Sequence, residues 1–332
     1  MNKFSMRKVL ECLAVPVLAT ALGACAYGDE PEVGQTAQAL STFGDFSLDG
    51  KADVLWHNTT TGVSQVWSLN SAPYNNVRTA ITTIDNFGDP GASAFQVAPW
   101  RPVGMDDFNQ DGKTDILWHN DSTGVTQVWY MSGTSRIGRA DVDANLDGGG
   151  ANVGAPWRIA GTGDFNQDGW PDILWHNTTT GEPQIWYMHN SSRISRYGLV
   201  PNDGGSVYVA APWSIVAVNR FNSSSPWPSI LWYNSSTGES QVWFMQNFYR
   251  TSRATVVAPG GSPLLIGPPW SIAGSNDYNL DGKTDILWHN STTNQTQIWY
   301  MNNNVRTGTL NLALPSGGGD ALQGVPWEIV RH

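Results

Sequence analysis

With 332 residues, only 14% of them charged, and with 35 Gly, 19 Pro and 17 Trp, the chain has the makings of short strands and turns rather than long helices. A formal net charge of −10 excludes nucleic acid and anionic lipid as main partners. The two cysteines, Cys12 and Cys25, both fall in the first 25 residues, which leaves no pair for a disulfide in a folded domain.

Those first 25 residues read as a targeting segment. Met1–Lys8 is a basic stretch, and Val9–Leu22 is mostly apolar with Glu11 as an interruption. The apolar run is too short for a stable transmembrane helix. Leu22-Gly23-Ala24-Cys25 resembles the bacterial lipobox, whose Cys is lipidated and becomes the new N-terminus. The alternative is plain secretion with cleavage near Ala37-Gln38-Ala39. Either route makes the protein extracytoplasmic: a bacterial outer-membrane or cell-surface lipoprotein, or a secreted protein, touching a membrane only through an N-terminal lipid. Residues 26–41 are polar and unpatterned and read as a tether.

From residue 42 onward one unit recurs five times. Leu-Trp-[His/Tyr]-Asn occurs at 55–58, 117–120, 174–177, 231–234 and 287–290. Gln-[Val/Ile]-Trp occurs at 65–67, 127–129, 184–186, 241–243 and 297–299, and Pro-Trp followed one residue later by Ile or Pro begins at 99, 156, 212, 269 and 326. Fifteen of the 17 Trp sit at these phased positions. In the second unit four segments look like strands: 116–120, 126–131, about 135–142, and 156–165. They carry bulky residues on both alternating faces, so each sheet needs cover on both sides. A ring of small antiparallel sheets supplies that cover. The first unit lacks a Pro-Trp strand before it, and the last ends in one, Pro326–Val330. The expected fold is therefore all-β: a closed five-bladed β-propeller over 42–332, with four-stranded antiparallel blades and a C-terminal strand completing the first.

Before four of the Leu-Trp strands lies an acidic loop. In "DFNQDGKTD" (107–115), Asp107, Asn109, Asp111 and Gly112 open like an EF-hand. The Glu an EF-hand needs at position 12 is replaced by Trp118, and the last carboxylate comes early, at Asp115. The motif D-x-[DN]-x-D-G-x-x-D followed by Ile-Leu-Trp resembles the FG-GAP/VCBS repeat of integrin α-subunit propellers and many bacterial secreted proteins. The resemblance covers nearly all of 42–332 and implies calcium-loop blades. Five blades departs from the seven usual in that family, and the family spans adhesion proteins, lectins and non-catalytic parts of enzymes.

Oxygen donors at alternate loop positions suit Ca2+. The candidate ligand sets are Asp45, Ser47, Asp49 and Asp53; Asp107, Asn109, Asp111 and Asp115; Asp164, Asn166, Asp168 and Asp172; and Asp277, Asn279, Asp281 and Asp285. The fourth unit has Arg220, Asn222, Ser224 and Ser229 instead, and its site reads as lost. About four structural Ca2+ are expected, bracing loops at strand starts.

Three further sets recur. The Pro-Trp tryptophans (Trp100, Trp157, Trp213, Trp270, Trp327) sit beside variable Gly-rich loops and are the candidate ligand platform. Arg136, Arg193, Arg250 and Arg306, with Arg78, recur on the third segment, as ligand contacts or as inter-blade ion pairs. His57, His119, His176 and His289, with Tyr233, read as hydrogen-bonded strand residues. Near-equivalent blades suit multivalent capture of a glycan or cell-surface glycoconjugate, or adhesion, by a monomer. The alternatives are a polysaccharide-acting enzyme with a central-channel site, and a scaffold for an envelope protein. Catalysis needs non-equivalent groups of distinct pKa, and no nucleophile or zinc motif supplies them, so no catalytic residue is assigned.

Overall fold

The computed structural model describes residues 44–331, apart from 73–74, 91–92, 145, 149 and 315–320. The leader, Cys25, the tether and the Ala37-Gln38-Ala39 site lie outside the described residues. Among the described residues there is no helix.

The first blade holds β1 (Val54–Asn58), β2 (Ser64–Ala72) and β3 (Asn75–Thr83). The second holds β4 (Trp100–Asp106), β5 (Asp115–Asn120), β6 (Thr126–Ser132) and β7 (Ser135–Asp141). The third holds β8 (Trp157–Gly163), β9 (Asp172–Asn177), β10 (Pro183–His189) and β11 (Ser192–Gly198). A two-residue strand, β12 (Val200–Pro201), precedes the fourth blade of β13 (Trp213–Asn219), β14 (Ser229–Asn234), β15 (Ser240–Gln246) and β16 (Tyr249–Thr255). The fifth holds β17 (Trp270–Asn276), β18 (Asp285–Asn290), β19 (Thr296–Asn302) and β20 (Val305–Asn311), and β21 (Trp327–Ile329) follows. Neighbouring strands within each blade are antiparallel, and β21 lies against β1 with Trp56 opposite Ile329 and Asn58 opposite Trp327. The protein is thus a five-bladed propeller whose last strand completes its first sheet.

Alternation along one strand explains the packing. All six residues of β5 are buried. Ile116 and Trp118 join Leu55 and Val66 of the first blade, whereas Leu117 joins Ile173 and Trp175 of the third. Each strand therefore feeds two interfaces, as period-2 geometry requires. Within each blade the Leu-Trp and Gln-x-Trp rings pack at 4.6–4.9 Å between centroids. A Trp that buries roughly 200 Å² contributes about 5 kcal/mol before entropy is counted.

The recurring His and Tyr finish this arrangement. His57 sets its ring edge-on to Trp118 of the next blade at 5.3 Å. His119 does so to Trp175, His176 to Trp232, Tyr233 to Trp288, and His289 returns to Trp56. Hydroxyls of Ser64, Thr126 and Thr296 hold Nδ1 of His57, His119 and His289 at 3.0–3.3 Å. The same contact thus crosses all five blade interfaces. Linkers add a second tie: after each outer strand the chain pairs in parallel with the outer hairpin of the next blade, as in Asp85 with Ser135, Asp143 with Ser192 and Val257 with Val305.

Candidate functional site

Every inner strand of blades two to five begins at a Pro-Trp and ends at the acidic-loop position, so these two features occupy opposite ends of the ring. In the loops, Asp107 accepts from the N–H groups of Asp111 and Gly112 at 3.0 and 2.8 Å. Asp45, Asp164 and Asp277 accept from the matching pairs. The curl needs left-handed backbone at the fourth position, where Leu48, Gln110, Gln167 and Leu280 have φ of 58–62°. The ninth-position carboxylates lie underneath, each between two backbone N–H donors: Asp115, for example, accepts from Phe108 and Met131. Burial, then the neighbouring loop acids, pushes Asp53 up to about 7, Asp115 and Asp285 to about 8 and Asp172 to about 9, against backbone hydrogen bonds that pull them down.

Buried carboxylates under this mutual repulsion are groups that a divalent cation would satisfy. Among the described residues no three Asp, Glu, His or Cys side chains gather closely enough to hold a metal by themselves. A metal would also draw on Asn109, Asn166 or Asn279 and on backbone carbonyls. That all-oxygen set fits Ca2+ and not Zn2+. Lys51, Lys113 and Lys283 reach Asp49, Asp111 and Asp281 only at 3.5–3.7 Å, as solvent-facing pairs of little energetic weight. The fourth blade offers no carboxylate, and Arg220 stands in the first position.

At the other end all five Pro-Trp prolines follow cis peptide bonds. Their carbonyls accept from the N–H groups of Thr59, Asp121, Thr178, Ser235 and Ser291 in the adjacent turns. Trp100, Trp157, Trp213, Trp270 and Trp327 are all half-buried. Each packs against one inter-blade apolar cluster. The linker lies directly on the turn glycine: a Cβ on Gly181 would meet the backbone of Val209 and Ala210 at 2.5–2.6 Å. The linker residue just before that contact is Phe95, Tyr208, Leu265 or Leu322 in four blades, 52–59% exposed, and Asn152 in the second. The phased sequence motifs did not reveal this apolar ring, because the linkers differ in length and composition.

The arginines divide. Arg136, Arg193 and Arg250 are fully buried, each lying over the Gln-x-Trp ring of its own blade at 4.2–4.3 Å. Arg193 forks onto Asp147 at 2.8 and 3.0 Å and donates to the Gly150 carbonyl. Arg250 holds Asp203 and the carbonyls of Ser206 and Gly204, and Arg136 pairs with Asp89. The expectation of ligand contact at these three is corrected: full burial keeps solvent away, and the guanidinium staples the preceding linker to the blade. Arg306 and Arg78 are half-buried over Trp299 and Trp67.

A cavity of about 620 Å³ on the ring axis is lined by residues of all five innermost strands. Its walls carry Trp100, Trp327, Arg101, Arg158, Glu328 and Arg331. Arg101 shares its Nε–H between the two carboxylate oxygens of Asp121 at 2.9–3.0 Å. Burial, then Arg331 and Arg101, lower Arg158, whose buried Nε has no hydrogen-bond partner. Arg331 is reachable by solvent yet surrounded by protein, as a group inside a channel is, and burial lowers it too. The sequence carried a signal for this: the residue after each phased Trp reads Arg101, Arg158, Ser214, Ser271, Glu328.

Comparison with known proteins agrees with the repeat. Residues 107–175, from the acidic loop of the second blade into β9 of the third, match the family described as FG-GAP-like repeat. No curated protein matches the chain by sequence. Among solved structures, it is similar to the Photorhabdus luminescens Tc holotoxin pore at 13% identity and TM-score 0.41, covering 80% of this chain and 11% of that one. The chain thus spans about a tenth of that partner's length. It is also similar to an Agrocybe aegerita lectin solved for recognition of non-reducing terminal N-acetylglucosamine (12% identity, TM-score 0.40, 80% of each chain). A Bacteroides caccae protein matches at 10% identity and TM-score 0.37, over 78% of this chain and 72% of that one. Such distant likenesses say nothing about ligands.

Proposed function

We propose that this five-bladed propeller with its FG-GAP-like repeat is a calcium-stabilised, extracytoplasmic binding protein that captures glycans or cell-surface glycoconjugates multivalently. The observation carrying the reading is the ring of five half-buried Pro-Trp tryptophans, each anchored on one side in an inter-blade core. A rigid, half-exposed indole is a good stacking surface for a sugar ring, and five equivalent copies turn weak single contacts into avidity. The neighbouring exposed Phe95, Tyr208, Leu265 and Leu322 widen the same face. The acidic loops at the far end take about four Ca2+ and stabilise the fold without touching the ligand. The leader ending at Cys25 supports export, with a lipid anchor.

Binding is preferred to catalysis in the axial channel. Of the acids there, Asp121 is already held by Arg101, which leaves Glu328 without a second free carboxylate to work with. The test is a glycan array run in calcium and again after chelation. Binding to a coherent set of sugars is expected, falling stepwise as Trp157, Trp213 and Trp270 are changed singly and together to Ala. A folded protein that binds no glycan would overturn the reading.

A further inference from the structure

We propose that the axial cavity is a single oxyanion site, taking a carboxylate or phosphoryl group borne by a small polyhydroxylated molecule, with Arg158 and Arg331 as its clamp and Arg101 at its rim. The chain carries a net −10, yet three guanidiniums from three different blades converge in one cavity of about 620 Å³. They stand close enough to repel one another. Compensation is incomplete. Asp121 holds Arg101, and Glu328 acts on Arg331, while Arg158 has no acidic partner among the described residues and keeps a buried Nε without an acceptor. Its Nη2 reaches the Ile215 carbonyl only at 3.5 Å. A buried polar donor without an acceptor is costly, and an oxyanion supplies acceptors in the forked geometry that guanidinium prefers.

The rest of the wall suits a hydroxylated body. Ser271 and Asn294 offer hydrogen bonds, and Trp100 and Trp327 offer flat apolar surface. A cavity of this size holds a ligand of one or two sugar rings. The site exists once per chain, because the equivalent positions of the other blades are Ser214, Ser271 and Glu328. It shares Trp100 and Trp327 with the repeated tryptophan platform but differs from it in number and in charge.

Calorimetric titration of the calcium-loaded full chain with glucuronate, glucose 6-phosphate and glucose tests this. One equivalent of an anion should bind, weakened by salt, with glucose far weaker. The tighter anion identifies the group as carboxylate or phosphoryl. Arg158→Gln and Arg331→Gln should each weaken binding about tenfold or more, roughly the worth of one charge-assisted hydrogen bond. Should Arg158→Gln fail to fold, Arg331→Gln decides, since residue 331 lies beyond the last strand. No binding of either anion, about five equivalents, glucose binding as tightly, or unchanged affinity in Arg331→Gln would each overturn the proposal. Glycan-array binding that persists in Arg331→Gln keeps this outcome separate from the tryptophan reading.

Discussion

At the scale of single residues the ninth-position aspartates set the pH behaviour. In metal-free protein their carboxyls are raised to about 7–9, above an unfolded value near 4, so the folded state holds protons the unfolded state has released. Their contribution is fully present below the unfolded value and is lost as pH rises through the folded ones. His57 and His119, lowered to about 4 by burial, are neutral in the folded state, and their unfolded imidazoles, with the ordinary value of 6.5, finish titrating by about pH 7.5. Between pH 7.5 and 9 the chelated protein should therefore lose thermal stability steadily, and saturating Ca2+ should flatten that slope. A calorimetric series at four pH values with and without chelator decides it; a flat metal-free profile would refute the buried-acid account. Gly181 makes a second residue-scale prediction. At φ +75° with linker backbone 2.5 Å from a notional Cβ, Gly181→Ala should cost about 2 kcal/mol in urea unfolding. At the same place in the fifth blade stands Asn294, accommodated because a Cβ on Gly324 would fall 1.9 Å from its side-chain oxygen.

At the scale of elements, strands were legible because their side chains repeat. The segment expected at 116–120 is observed as Asp115–Asn120, and 126–131 as Thr126–Ser132. Linker behaviour was not legible. Nothing local in the sequence says that Asp85 will pair with Ser135, or that Asp147 lies beneath Arg193. Those contacts join segments whose patterns are irregular, and the closeness comes from the ring. The arginine phasing pointed to something repeated, but burial decided between ligand contact and staple. Arg193→Ala should cost about 3 kcal/mol, because it strands the mostly buried Asp147. Arg306→Ala, which removes a stacked cation with no acid against it among the described residues, should cost about 1 kcal/mol. Equal losses for the two variants would show that stacking, not the ion pair, is the important part.

At the scale of the whole molecule, the ring was legible from the phase of its ends: a strand missing at the start and one over at the finish. The axial cavity was not, because it belongs to no single repeat and is built from the positions where the repeats differ. Closure makes blade one depend on β21. Removing residues 326–332 takes away that strand, the turn contact of Thr59 with the Pro326 carbonyl, and Val330 from the first interface. The shortened chain should lose its single cooperative unfolding transition, and a synthetic peptide of the missing residues should restore it in part. A cooperative transition unchanged by the deletion would mean the other four sheets hold the fold alone.

Blades two to five are each complete within one continuous stretch of chain, whereas the first is divided between residues 54–83 and 327–329. In a polypeptide made from its N-terminus, the sheet synthesised first is therefore the last to be finished. Until β21 arrives, β1 shows an unpaired edge, and the growing chain has four sheets that can settle and one that waits. The export proposed above would make use of that order of events. The first sheet stays open while the rest of the chain is still emerging, and the ring shuts only when the whole length has arrived.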